Sequence, residues 1–158
     1  KKHDKNRKIV NAGITPTVSI GSTDLHSVGQ LYLGGPKDKI TTFVYVERTP
    51  NDAKIPSHGL FSNLVENLTN QTSSEIFEAI YKGVKIAYSK NKLPFMEIIL
   101  EDVSILALAQ FLQFKMIEMI YLGYLMNVNT FDQPNVESYK IETRKILNKR
   151  TRRVCIKN

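Results

Sequence analysis

Apolar and polar residues alternate along the chain between strand-like and helix-like patterns. Residues 41–47 (Thr-Thr-Phe-Val-Tyr-Val-Glu) are rich in β-branched and aromatic side chains, and residues 96–100 form a second short apolar run, so each predicts a strand. Helical patterns cover residues 24–33, 73–90 and 104–126. Because strands and helices alternate, the pattern predicts an α/β fold with a mostly parallel sheet.

The first predicted helix has clear start and stop signals. A short β-prone run at residues 17–20 is followed by three residues that favour the N-cap position, Ser22, Thr23 and Asp24. The sequence Gly-Gly-Pro at residues 34–36 ends the helix. We therefore predict a strand, a cap and a helix in direct succession.

Three further helices are predicted, of which two have polar residues at the N-cap position and one is short. Ser73 or Ser74 is predicted to cap the helix that runs to residue 90. Asp132 or Gln133 is predicted to cap the last helix, which has a proline in its first turn. A short helix is also predicted at residues 60–69.

The stretch that ends at residue 126 is the most apolar part of the chain and reaches the length of a membrane span. Lys115 and Glu118 lie near its middle, and a lipid-facing helix would carry each charge at a cost of roughly 3 kcal/mol. The helix is apolar over most of its circumference, which is typical of a helix enclosed between layers. We therefore predict a buried helix in a soluble domain and no membrane partner.

Length and composition favour one globular domain. A chain of 158 residues, with 42% hydrophobic and 9% aromatic side chains, is sufficient for a core of its own. We predict a single domain over residues 1–158, with a basic lead-in at 1–12 and a basic tail at 148–158. The one cysteine, Cys155, leaves no internal disulfide and fits the reducing cytoplasm.

The formal charge of +7 is concentrated at the two ends of the chain. Such basic runs can bind nucleic acid by neutralising phosphates. The more common role of such runs is that of solvated ends, and here no aromatic residues interleave with them to stack on bases. We do not expect nucleic acid to be the partner.

His26 lies in the first turn of the first predicted helix. The partial positive charge of the helix N-terminus favours the neutral imidazole, which can exchange protons in either direction. The hydroxyl groups of Ser22 and Thr23 make the same helix start a candidate anion site. From spacing alone, a histidine that packs or caps at a helix start is the more frequent explanation.

Lys140 is a candidate because of its position on the last helix. Residues seven apart on a helix lie within about 20° of each other, so Gln133, Glu137, Lys140 and Arg144 form one polar stripe. Beside a packed stripe, a lysine ammonium could meet a developing negative oxygen in a cleft. A solvated face on which Glu137 and Lys140 pair locally is the more frequent explanation from helix geometry alone.

No metal or nucleotide cofactor is predicted. His3 and His58 have no partners at metal-ligand spacing, and Cys155 lacks a neighbouring histidine motif. The glycines at 34 and 35 belong to no GxGxxG or P-loop pattern.

Several segments, in their order and spacing, resemble the second sugar-phosphate isomerase (SIS) domain of the glucose-6-phosphate isomerase family. They are Pro-Thr at 16–17, Thr-Asp-Leu-His-Ser at 23–27, Gly-Gly-Pro at 34–36, Tyr-Lys-Gly-Val-Lys-Ile-Ala at 81–87, Leu-Pro-Phe at 93–95 and Asn-Thr-Phe-Asp-Gln-Pro-Asn-Val-Glu-Ser-Tyr-Lys at 129–140. The resemblance covers residues 13–147. Thr130 and Asn135 depart from it, standing where the family has proline and glycine. The implied fold is a three-layer α/β/α, flavodoxin-like SIS domain, truncated on its N-terminal side.

The resemblance implies the reversible interconversion of glucose 6-phosphate and fructose 6-phosphate in glycolysis and gluconeogenesis. His26 would match the acid/base residue that opens the sugar ring, and Lys140 the lysine that assists ring opening and steadies negative charge. Gln133 would match a glutamine that contacts the substrate near its phosphate. The implied enzyme is a cytoplasmic homodimer without metal or organic cofactor, in which the histidine-bearing segment reaches the partner's active site.

The resemblance also implies a residue that this chain lacks. Proton transfer between adjacent carbons needs a carboxylate base, which the family takes from a Glu-Ser-x-Gly-Lys-like segment before the proline matched by Pro16. Residues 1–12 do not match that segment. We expect the 158 residues to begin just downstream of the base and to be inactive alone. The alternative is a non-catalytic SIS module that binds sugar phosphates, and nucleic-acid binding ranks third.

Overall fold

The computed structural model describes residues 2–57 and 67–155. Its elements, in chain order, are α1 (Asp24–Gly34), β1 (Thr41–Arg48), α2 (Ser73–Lys90), β2 (Phe95–Asp102), α3 (Ile105–Leu125) and α4 (Pro134–Cys155). The chain divides into two compact units. The sheet unit is Pro16–Gln113, and the terminal unit is Lys1–Thr15 together with Phe114–Asn158.

The sheet unit is built on a β1–α2–β2 arrangement. Strands β1 and β2 pair in parallel, with Thr41 opposite Phe95 and Arg48 opposite Asp102. Parallel neighbours need a crossover connection, and α2 lies between the two strands in the sequence. The α/β class and the parallel pairing predicted from the sequence are confirmed.

Aromatic side chains join α2 to one face of the sheet. Phe43 and Tyr45 are two residues apart on β1 and therefore point to the same face. The Phe43 ring lies 5.0 Å from Tyr88 and 5.4 Å from Phe95, and the Tyr45 ring stacks on Tyr81 at 4.4 Å. Tyr88 is only 4% exposed, so this cluster is the core of the sheet unit.

Helix α2 begins with a reciprocal capping box. The Thr72 side chain accepts a hydrogen bond from the Glu75 backbone N–H at 3.2 Å, and the Thr72 N–H donates to Glu75 Oε2 at 2.7 Å. Ser73, one of the two predicted caps, is instead the first helical residue. The cap is Thr72 because only that position has extended backbone angles while its side chain reaches the third helical residue.

Replacement of Thr72 by alanine is expected to lower the free energy of unfolding by about 1 kcal/mol, because the Glu75 N–H at the start of α2 loses the hydroxyl that accepts its hydrogen bond. Urea unfolding followed by circular dichroism measures this change. The Thr72→Ser variant keeps the hydroxyl and serves as the control. Equal losses in the two variants would mean that the methyl group, and not the cap, carries the effect.

The strand predicted at residues 17–20 is wrong. Val18 is 94% exposed, and the Ile20 N–H donates to Asp24 Oδ2 at 2.7 Å rather than to a neighbouring strand. Residues 17–20 pair with neither β1 nor β2, and the Asp24 carboxylate accepts the hydrogen bond of the Ile20 N–H. The short helix predicted at residues 60–69 lies mostly outside the described residues.

The prediction that α3 is enclosed between layers is also wrong for this chain. Only 6% of its most apolar stretch is buried. Ile105 and Leu125, at the two ends of the helix, are 89% and 79% exposed. Its length and composition would allow it to cross a membrane, and the core helices of soluble proteins meet the same two conditions. The helix is exposed because the described elements place no second layer over it.

Candidate functional site

His26 is held in the first turn of α1 by local hydrogen bonds. The helix begins at Asp24, as the sequence predicts, and the His26 side chain is exposed. The Asp24 N–H donates to the Ile20 carbonyl at 2.9 Å, and Asp24 Oδ2 accepts from the Ile20 N–H. The imidazole is therefore attached to a well-anchored helix start and open to a ligand from solvent.

The capping expected from Ser22 and Thr23 is not what anchors this helix. Thr23 occupies the N-cap position with helical backbone angles, φ −73° and ψ −45°, and its side chain makes no capping hydrogen bond. An N-cap side chain reaches the helical N–H groups from extended angles, so Thr23 cannot cap in this conformation. Asp24 takes over the anchoring by closing the turn back to Ile20.

Lys140 lies in the second turn of α4 beside Glu137. Its Nζ is 2.7 Å from Glu137 Oε1, and the two side chains are 42% and 55% exposed. An exposed pair of this kind contributes only about 0.3–0.5 kcal/mol. The ammonium is therefore held in place at little energetic cost, and an anionic ligand could compete for it.

Gln133 lies at the start of the same helix. Its carbonyl accepts from the Val136 and Glu137 N–H groups at 3.0 and 3.3 Å, so it forms the first turn of α4. Its side chain is exposed. The stripe predicted from the seven-residue spacing begins at Gln133 and includes the Glu137–Lys140 pair. The terminal unit thus presents an amide, a carboxylate and an ammonium on consecutive turns.

The three predicted site residues fall in different units. His26 belongs to the sheet unit, whereas Gln133 and Lys140 belong to the terminal unit. Among residues 2–57 and 67–155, no group of three or more His, Cys, Asp or Glu side chains could hold a metal ion. His58 lies outside the described residues.

A polar cluster in the sheet unit was not singled out by the sequence. Lys85 on α2 pairs with Glu97 on β2 at 2.8 Å, and its ammonium lies 4.4 Å from the centre of the Tyr81 ring. The hydrogen bond to Glu97 raises the pKa of Lys85, and burial raises the pKa of Tyr81. Both shifts keep the proton on Lys85 and on Tyr81 near neutral pH, and the Lys85–Glu97 pair joins α2 to the sheet.

Three curated proteins with similar sequences are named glucose-6-phosphate isomerase. The chain is 34% identical over 128 residues to the glucose-6-phosphate isomerase of Methanocaldococcus jannaschii, covering 81% of this chain and 31% of that protein. It is 33% identical over 138 residues to that of Carboxydothermus hydrogenoformans, covering 87% and 30%. For Pediococcus pentosaceus the identity is 32% over 128 residues, covering 81% and 28%.

A solved structure agrees in fold. A crystal structure of a hypothetical protein from Thermus thermophilus matches with a TM-score of 0.82 and 31% identity, covering 92% of this chain and 34% of that one. No family model matches the chain. The chain spans about three tenths of the length of the curated relatives.

Proposed function

We propose that these residues form the C-terminal, ring-opening part of a glucose-6-phosphate isomerase. The observation that carries the proposal is the 31–34% identity to proteins of that name over 81–88% of the chain. The matched solved structure has the same fold over 92% of the chain. The polar stripe on α4 and the exposed imidazole on α1 supply the side chains that ring opening needs.

His26 and Lys140 have complementary roles in this proposal. Opening a cyclic sugar breaks the bond between the anomeric carbon and the ring oxygen, so the ring oxygen gains a proton and the anomeric hydroxyl loses one. His26 exchanges the proton at the ring oxygen, because a neutral imidazole accepts and an imidazolium donates. Lys140 steadies negative charge on the sugar oxygens while Gln133 holds the phosphate end.

The remaining step needs a carboxylate that moves a proton between carbons 1 and 2. Glu118 and Glu137 are not offered for this role, because Glu118 pairs with Lys115 and Glu137 pairs with Lys140. We propose that this carboxylate base lies outside residues 1–158. Hydrogen moves within the sugar and no net oxidation occurs, so the reaction as proposed uses no metal or organic cofactor.

The proposal extends to assembly and location. As in the family that the sequence resembles, we expect a homodimer in the cytoplasm, with the His26 segment reaching the partner's substrate. The relatives are more than three times longer than the matched segment, so a complete protein of that kind has further residues that could pack on α3. The exposed apolar surface of α3 supports this expectation. We expect the remaining residues of a complete isomerase to cover this helix.

The full-length gene product is expected to convert fructose 6-phosphate to glucose 6-phosphate, and residues 1–158 alone are expected not to. A coupled assay that oxidises glucose 6-phosphate with NADP measures both. In this proposal the carboxylate base lies outside residues 1–158, so the rate with those residues alone should equal the blank. Turnover by the piece would contradict the placement of the base, and binding of fructose 6-phosphate by the full-length product without turnover would favour the non-catalytic module.

A further inference from the structure

Gly123 marks a close approach between α3 and the turn that leads to α4. It is buried in the last turn of α3, and its carbonyl accepts from the Val128 N–H at 2.9 Å. Asn127, between them, has a φ of 53°, in the left-handed region where the chain reverses. Val128 is 6% exposed, so the chain folds back tightly onto the end of the helix.

The missing side chain of Gly123 makes room for Thr130. A Cβ atom on Gly123 would lie 1.8 Å from the Thr130 Cγ2 atom and 3.2 Å from its Cβ atom. Ordinary contact begins near 3.4 Å, so the two side chains cannot both occupy this space. The helix surface at Gly123 is therefore the seat of the Thr130 methyl group.

Thr130, whose methyl group occupies this seat, lies three residues before Gln133, the candidate substrate-binding residue. Within the turn, the Phe131 N–H donates to Asn129 Oδ1 at 3.0 Å, and the Gln133 carbonyl then accepts the first N–H groups of α4. Because the turn is short and internally hydrogen-bonded, we expect a displacement at Thr130 to shift Gln133. Gln133 directly precedes Pro134, the first residue of α4, and accepts the first hydrogen bonds of that helix, so we expect the same displacement to reach Lys140.

The other side of the reversal is held by the N-terminal segment of the same unit. The Lys5 N–H donates to the Asn127 carbonyl at 2.9 Å, and the Lys5 ammonium lies 5.0 Å from the centre of the Tyr124 ring. The residues before the turn are thus anchored twice. The steric clash caused by a side chain added at Gly123 is relieved more easily by movement of residues 129–133 than by movement of residues 124–128.

We propose that Gly123 is a positioning residue for the substrate-binding end of α4. By leaving a seat for Thr130, it sets where Gln133 and Lys140 stand. This role rests on the proposed isomerase function, because Gly123 affects the substrate only through Gln133 and Lys140.

The test is a Gly123→Ala variant of the full-length gene product, assayed for fructose 6-phosphate isomerisation. To reach contact at 3.4 Å, the Thr130 methyl must move by more than an ångström, and a misplacement of that size can cost about 10²-fold. We expect kcat/KM to fall by about that factor. KM should rise because Gln133 binds the ground state as well as the transition state, and kcat should fall because Lys140 is displaced as well. Wild-type KM in Gly123→Ala would overturn the proposal.

Two further variants separate positioning from general damage. Gly83 is a helical glycine in α2, and apart from its own stretch of helix no atom lies within 4 Å of the position of an added Cβ, so Gly83→Ala should leave KM unchanged. The double variant Gly123→Ala with Thr130→Ser removes the clashing methyl and should restore KM to within about threefold. If Gly123→Ala does not fold, a folded and active double variant supports the seat, and a double variant that also fails to fold contradicts it.

A readout without substrate keeps this claim separate from the proposed function. Hydrogen exchange of the Val136 and Glu137 amides reports the hydrogen bonds to Gln133, whatever the enzyme does. We expect faster exchange in Gly123→Ala and recovery in the double variant. If the wild-type protein isomerises no sugar phosphate but the exchange pattern holds, the functional proposal fails, while the structural part of the inference stands: Gly123 still positions the start of α4. Unchanged exchange would remove the positioning role.

Discussion

Replacement of His26 by alanine in the full-length gene product is expected to lower kcat for fructose 6-phosphate by about 10²–10⁴-fold. The imidazole is the group proposed to exchange a proton with the ring oxygen, and no other histidine lies in the described part of the sheet unit. Because His26 is exposed and the helix start is anchored by Asp24, its removal should leave the fold intact. Steady-state kinetics with the coupled assay measures the change.

A substrate that cannot form a ring gives the sharpest test of this role. Fructose 6-phosphate without its 5-hydroxyl stays open, so its isomerisation needs no ring opening. The His26→Ala variant should be slow with fructose 6-phosphate and near wild-type with the 5-deoxy analogue. Equal losses on the two substrates would assign His26 to another step. His3→Ala removes an exposed imidazole from the terminal unit and serves as the control.

Replacement of Lys140 by methionine is expected to lower kcat by about 10²–10³-fold, the usual effect of removing one group that stabilises developing negative charge. Methionine keeps the length and apolar stem of the side chain and removes only the ammonium. The Glu137 pair that is lost is exposed and contributes little to folding. Thermal unfolding should therefore be nearly unchanged while turnover falls.

Helix α4 contains a matched control for this variant. Lys145 pairs with Glu142 at 2.6 Å, with the same three-residue spacing as Lys140 and Glu137. The side chains of Lys145 and Glu142 are both exposed. Lys145→Met removes the same charge from the same helix, away from the polar stripe. Similar losses of turnover in Lys140→Met and Lys145→Met would show that net charge, and not a role in the site, explains the effect.

Most of the fold could be predicted from local patterns. The strand at Thr41–Arg48 and the helix at Ser73–Lys90 follow β-propensity and helical periodicity, and the structure has both within one residue of the prediction. Which residue caps each helix was harder to predict, because several polar residues stand next to each other. Thr72 caps in place of Ser73, and Asp24 anchors α1 in place of Thr23.

The candidate site could be predicted only in part. His26, Gln133 and Lys140 were identified from helix position and from a resemblance, and their roles stay predictions. Gly123 gave no signal in the sequence, because a glycine inside an apolar helix looks like a packing position of any kind. Its distance to Thr130 depends on the reversal at Asn127, which is a tertiary feature.

Spacing along the chain was enough to predict strands β1 and β2, the helices α1 to α4 and the α/β class, although it also predicted a strand at residues 17–20 that the structure lacks. Three contacts between distant residues came only from the folded chain: the stacking of Tyr45 on Tyr81, the pairing of Lys85 with Glu97 and the seat of Thr130 on Gly123. The fold also leaves α3 exposed in this chain, against its apolar pattern. The physical reason is that hydrophobicity predicts a preference for burial, whereas burial itself requires another element to supply the covering surface.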